Sequence, residues 1–142
     1  MNASGDDGWL SFSQITADNF AASIGPLHYR DAGNGMVQVR MMPSPSMLNM
    51  GGSIHGGAVM TFIDMAIFAG GPIVGRAPGH YVTLDCATHF IARTMPDEPL
   101  DAFVRMVGQT KGGLVFLSGY CEQNGATTHS FTGTLKKIRD RT

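Results

Sequence analysis

A histidine and two glycines, His55-Gly56-Gly57, open an apolar run that a single carboxylate, Asp64, interrupts. Glycines at the mouth of a helix expose backbone N–H groups that have no intrahelical acceptor. Those donors, together with the positive end of the helix dipole, suit a carbonyl oxygen that is about to become an oxyanion. Glycine also lets a carbonyl approach the backbone closely. Phosphate is the competing ligand for such a helix start. No GxxxxGK(S/T) pattern is present and no lysine stands beside the glycines, so a P-loop is excluded. Asp64, set between Phe62-Ile63 and Met65-Ala66-Ile67, is costly to bury without a purpose. It reads either as a catalytic group or as a capping or ion-paired carboxylate at an interface. Along one helix, His55 and Asp64 fall on opposite sides, about 13.5 Å apart in rise. One helix therefore cannot bring Asp64 to its own N-terminal donors. Two copies with antiparallel helices about a two-fold axis can.

These residues need a frame. Val59, Phe62, Ile63, Ala66 and Ile67 recur at helical spacing, which predicts an apolar helix over Ala58 to Ala69 that ends at Gly70-Gly71-Pro72. Ser13 to Ile24 reads as a short helix. Leu27 to Ala32 and Met36 to Met42 read as strands around the turn Gly33-Asn34-Gly35. Further strands are expected over His80 to Ala92, Ala102 to Gln109, Leu114 to Glu122 and Ala126 to Ile138, with turns at 95–99, 111–113 and 123–125. One long helix and about six strands joined mostly by short turns predict an α+β fold, an antiparallel sheet wrapped over the helix. The length fits one domain, 1–142, with a helical N-terminal segment over 1–26 and a core over about 27–138.

Composition narrows the function. Lys plus Arg total 10 against 11 Asp plus Glu, for a net charge of −1, which argues against a nucleic-acid binder. Charged residues are only 15%, against roughly 25% in average domains, which suggests a surface partly hidden in an oligomer. Cys86 and Cys121 have no metal-ligand spacing, and reduced, strand-buried thiols in a cytoplasmic protein are expected. The N-terminal residues have neither a basic nor an apolar signal region, and the stretch from Ala58 to Gly75 is too interrupted to span a membrane. His28, His80, His89 and His129 form no metal pair and read as strand or loop residues. Ser53 is not in a GxSxG elbow. The methionines, among them Met36, Met41, Met42, Met47, Met50, Met60 and Met65, are expected to fill the core mostly, with some able to border an acyl pocket.

Asn49-x-x-Gly52-x-x-His55-Gly56-Gly57 followed by Asp64 resembles the signature of hotdog-fold acyl-CoA thioesterases of the phenylacetate-degradation (PaaI-like) type. Tyr81-Val82-Thr83-Leu84-Asp85 resembles the strand that follows the helix there, and the likeness extends over roughly Leu27 to Lys137. The resemblance implies hydrolysis of aryl, short-chain or medium-chain acyl-CoA without a metal or organic cofactor, coenzyme A being part of the substrate. It implies Asp64 as nucleophile or general base, the Gly56 N–H as carbonyl donor, Asn49 as a positioning group and His55 as its support. Thr83 would belong to the water or carboxylate site, and Gly57 would contact substrate. Lys111, at a hairpin tip, and Arg93, after a strand, read either as solvated charges or as substrate contacts that meet CoA phosphates across an oligomer interface. A homodimer, and from it a dimer of dimers, is implied. Met95-Pro96-Asp97-Glu98-Pro99-Leu100-Asp101 departs from the family's usual Gly-Asp/Glu before the next strand. An acyl-CoA-binding module without turnover and a hotdog dehydratase or hydratase are the alternatives.

Overall fold

The computed structural model describes residues 8–13 and 15–139. Seven strands, β1 (Leu10–Ser11), β2 (Leu27–Gly33), β3 (Met36–Met41), β4 (His80–Phe90), β5 (Leu100–Gln109), β6 (Leu114–Gln123) and β7 (Ala126–Ile138), form one sheet. The order is β1-β2-β3-β5-β6-β7-β4, and every pairing is antiparallel. Between β3 and β5, which are neighbours, the chain makes helix α1 (Gly56–Ala66), a one-turn helix α2 (Gly71–Val74) and then β4 at the far edge. The α+β hotdog architecture expected from the sequence is the one found, a sheet around one main helix.

The helix is held by its apolar stripe. Val59, Phe62, Ile63 and Ala66 are buried, one face at helical spacing. They meet Val37, Val39 and Met41 of β3, Leu100, Ala102 and Val104 of β5, and Leu117 and Leu135 further along the sheet in one core. Burying a side chain such as Phe62 or Ile63 completely contributes about 1.5–3 kcal/mol each. Gly133 of β7 lets the end of the helix sit close. A Cβ there would lie 2.8 Å from the Ile67 Cδ1.

Three expectations need correction. The segment over 13–24 is not a continuous helix: β1 pairs with β2, and only Phe20–Ile24 turns, as a short 3-10 helix behind an extended Asn19. Gln14 lies outside the described residues. The modest apolar pattern of the segment loses to backbone pairing with β2 and to Trp9, whose ring lies 4.3 Å from the Arg30 guanidinium and 4.8 Å from that of Arg40. Helix α1 starts two residues earlier and ends sooner than predicted, at Ala66. Gly70, at φ 58°, then reverses the chain, and Pro72 sits in the first turn of α2, since proline is as good at a first turn as at a stop. The methionines also divide. Met41 and Met47 are core, whereas Met42, Met50 and Met60 are exposed. Cys121 is buried and Cys86 half-buried.

Asp101 ties β2, β3 and β5 together. It accepts from the Arg40 Nε at 2.7 Å and Nη2 at 2.8 Å, and from the Gln38 Nε2 at 2.9 Å, while Gln38 accepts from the Arg30 Nε at 2.8 Å. Its hydrogen bond holds the Arg40 guanidinium above its ordinary pKa. The two arginines that grip Trp9 are thus fixed from the sheet side, anchoring the segment that runs on to the site.

Candidate active site

Helix α1 begins in a tight loop. The Asn49 Oδ1 accepts from the Gly51 N–H at 2.8 Å and the Ser53 N–H at 3.2 Å, and its Nδ2 donates to the Ser53 Oγ at 3.1 Å. One Nδ2 hydrogen remains for a ligand. The Arg93 Nη2 donates to the Gly51 carbonyl at 2.9 Å, so this cation holds the loop. His55 is the N-cap, its Nδ1 accepting from the Gly57 N–H at 2.9 Å. No hydrogen bond joins His55 to Asn49 among the described residues, so the support expected of His55 goes to the helix instead. The same bond occupies the Gly57 N–H. The Gly56 N–H has no acceptor among the described residues and stands at the positive end of the helix.

Asn49, Gly56 and Arg93 line a cavity of about 340 Å³ with Phe90, Thr94 and His129. The last two carried no signal in the sequence beyond a strand histidine and a loop threonine. Thr94 is 3% exposed, and its hydroxyl has no partner among the described residues. His129 is 1% exposed, its Nδ1 lies 2.8 Å from the Thr128 hydroxyl, and Phe90 meets its ring edge-on at 5.0 Å. Burial lowers the His129 pKa to about 4, so the ring is neutral at pH 7. A Cβ on Gly56 would lie 3.3 Å from the Phe90 ring.

Asp64 is elsewhere. It lines a second cavity of about 400 Å³ with Thr61, Met65, Ile15, Phe20 and Ala21. Its Oδ1 accepts from the Thr83 Oγ1 at 2.7 Å, a short, charge-assisted bond. No hydrogen bond among the described residues reaches Oδ2. The Thr61 hydroxyl donates back to the Gly57 carbonyl, so it is not aimed at the carboxylate. Cys86 lies close by on β4, and burial first, then the Asp64 charge, push its thiol pKa up, which keeps it protonated and unsuited to attack.

The structure therefore joins Asp64 to Thr83, and Asn49 to Gly56 and Arg93, and keeps the two groups in separate cavities of one chain. Lys111 belongs to neither; it lines a third cavity at a hairpin tip.

Residues 51–117 match the thioesterase superfamily. The fold is that superfamily's hotdog fold. No curated protein matches the chain. Among solved structures, the PaaI protein of the phenylacetic acid degradation operon of Escherichia coli is 23% identical, covering 84% of this chain and 83% of its own, with a TM-score of 0.70. A hypothetical thioesterase from Streptococcus pneumoniae, solved with coenzyme A, is 21% identical, with coverage of 82% and 88% and a TM-score of 0.67. A Streptococcus mutans protein bound to acetyl CoA is 19% identical, with coverage of 76% and 85% and a TM-score of 0.64. The PaaI-like resemblance read from the Asn-Gly-His-Gly-Gly and Asp spacing thus holds at the level of fold. Among the described residues of this hotdog domain, no helix is long and apolar enough to cross a membrane.

Proposed function

We propose that this protein hydrolyses acyl-CoA thioesters to a free acid and coenzyme A in a site shared by two copies of the chain. The observation that carries the reading is the Asp64 carboxylate, fixed through one oxygen by Thr83 and open at the other, in a different cavity from the donor-rich start of its own helix. Gly56 and Asp64 are separated by about 12 Å of helix rise. A two-fold partner brings Asp64 of one copy to Gly56 of the other. Strand β4 supports such a pairing. It pairs with β7 on one side only, and Val82, Leu84 and Phe90 on it are exposed. A long apolar edge of this kind is normally covered.

In the shared site, the thioester carbonyl oxygen accepts from the Gly56 N–H, with the remaining Asn49 N–H beside it. Asp64 either removes a proton from a water whose oxygen bonds to the carbonyl carbon, or attacks that carbon itself to form an acyl anhydride that a water then hydrolyses, regenerating the Asp64 carboxylate and releasing the free acid and a proton. The C–S bond breaks as the tetrahedral oxyanion collapses, and the CoA sulfur leaves as a thiolate that takes up the proton. Hydrogen bonding to the oxyanion lowers the barrier most, one such donor supplying about 2.7–4 kcal/mol. The family match over residues 51–117 and the CoA-bound structures of similar fold favour this chemistry over dehydration.

The test is complementation. Asp64→Asn and Asn49→Ala chains, each inactive alone in a free-thiol assay over a panel of acyl-CoAs, are mixed under conditions of confirmed subunit exchange. Partial recovery is expected, because half of the sites in a heterodimer are intact. Mixed samples as inactive as either parent refute the shared site. Full turnover by Asp64→Asn removes the catalytic assignment of Asp64, and no thiol release by the wild-type protein from any acyl-CoA leaves a binding module.

A further inference from the structure

Thr94 is a polar residue that the chemistry above leaves unused. It is 3% exposed, it lines the cavity at the start of helix α1, and its hydroxyl has no hydrogen-bond partner among the described residues. A buried hydroxyl left unpaired costs stability, and such groups are rare unless a ligand completes them. The polar neighbours in the cavity are turned to other partners. The Asn49 Oδ1 accepts the Gly51 and Ser53 N–H groups, and its Nδ2 donates to the Ser53 hydroxyl. The Arg93 Nη2 donates to the Gly51 carbonyl, and the His129 Nδ1 faces the Thr128 hydroxyl.

Thr94 is also held in place. Its carbonyl accepts from the N–H of Ile54, two residues before Gly56, at 2.8 Å. On its other side Met95 is clamped by the buried Gln123. The Gln123 Oε1 accepts from the Met95 N–H at 2.8 Å, and its Nε2 donates to the Met95 carbonyl at 2.9 Å. The backbone that carries the unpaired hydroxyl is thus fixed from both sides relative to the start of the helix.

The two cavities that a shared site would join differ in kind. The one beside Asp64 is walled by Ile15, Phe20, Ala21 and Met65, which suit an alkyl or aryl acyl group. The one with Thr94 is walled by Asn49, Ser53, Arg93 and His129 as well. A thioester with its carbonyl oxygen on the Gly56 N–H has one arm for each. The thiol arm of CoA carries an amide whose nitrogen is four bonds from the thioester carbon, within roughly 6 Å of it. An amide is costly to enclose without hydrogen bonds, and a threonine hydroxyl can serve either its N–H or its carbonyl. Resting on the acyl-CoA reading above, we infer that Thr94 is a substrate-binding residue, its hydroxyl pairing with the first amide of the thiol arm while the acyl group turns toward Asp64 of the second copy.

Thioesters of N-acetylcysteamine keep this amide and nothing beyond it; S-pentyl thioesters of the same acid replace it by an alkyl chain of equal length. In a free-thiol assay the wild-type protein should favour the amide substrate in kcat/KM. Thr94→Val, which exchanges the hydroxyl for a methyl group, should lower kcat/KM about tenfold for the amide substrate and less than twofold for the S-pentyl one. Thr94→Ser should restore most of the preference. Binding is read apart from turnover by calorimetric titration with the S-hexyl thioether of pantetheine, which cannot be hydrolysed, and Thr94→Val should weaken it about tenfold. Equal losses for the two thioesters mean that the hydroxyl serves the structure alone, and overturn the inference. So does a wild-type protein that shows no preference for the amide, or a Thr94→Val variant that keeps the wild-type preference. A protein that binds the thioether through Thr94 but releases no thiol from any thioester keeps the subsite and sinks the hydrolase reading.

Discussion

Acid should destabilise this protein through His129 in a measurable and isolable way. The imidazole is 1% exposed, and burial lowers its folded pKa from 6.5 to about 4. The unfolded chain therefore takes up a proton below about pH 6.5 that the folded chain refuses until about pH 4. The stabilising contribution is complete above the unfolded value and is lost as pH falls toward the folded one. Integrating between those values, the loss is about 2 kcal/mol by pH 5 and about 3 kcal/mol by pH 4. Urea unfolding from pH 7.5 to 4 would be run on the wild-type protein and on His129→Gln. The two proteins differ only at this side chain, so the difference between the two curves isolates the imidazole. The variant should start less stable and fall less steeply, the gap closing by about 2 kcal/mol between pH 7 and pH 5. Parallel curves would refute the reasoning, since they would mean that the buried ring takes up its proton as readily folded as unfolded.

Thr83→Val keeps the shape of the strand residue and removes the 2.7 Å bond to Asp64. A hydrogen bond to a charged group is worth about 1.5–3 kcal/mol, so kcat should fall about tenfold or more with KM little changed, read by thiol release. Gly56→Val places a branched side chain against Phe90, 3.3 Å from the new Cβ, and across the approach to the backbone N–H of residue 56. It should abolish turnover in folded protein, whereas His55→Ala should cost about 1 kcal/mol of stability as a lost N-cap, with a smaller loss of kcat. The reverse ranking would move the chemistry to the histidine. Phe62→Ala, which empties a fully buried position, should lower unfolding free energy by about 3–5 kcal/mol in chemical denaturation.

Local signals were legible wherever local chemistry decides structure. The β2–β3 turn has Asn34 and Gly35 at positive φ, as their types demand, and β7 has the predicted bounds. The apolar stripe of α1 was visible because burial on one face leaves a helical period. The pairing of Asp64 with Thr83 followed from the resemblance rather than from periodicity, since nothing local links a helix residue to a strand nineteen positions on. Two things were hidden for physical reasons. Trp9 and β1 take their place from arginines on β2 and β3, contacts that leave no pattern in their own segment. Thr94 and His129 are unremarkable strand and loop types, brought beside Asn49 only by the fold. Likewise, two adjacent glycines look equivalent as donors until the His55 imidazole is seen to occupy one of them.

The placement of β4 also sets a schedule for synthesis on the ribosome. Its partner within the chain is β7, the last strand to be made, with His80 pairing to Ile138 and Phe90 to His129. At about 5–20 residues per second, the stretch from Phe90 to Ile138 takes roughly 2–10 s to translate. For that interval an apolar strand destined for the sheet lacks its neighbour within the chain. Neighbouring nascent chains on one message carry the same strand in the same state, and chaperones that bind extended apolar segments have seconds in which to act on it.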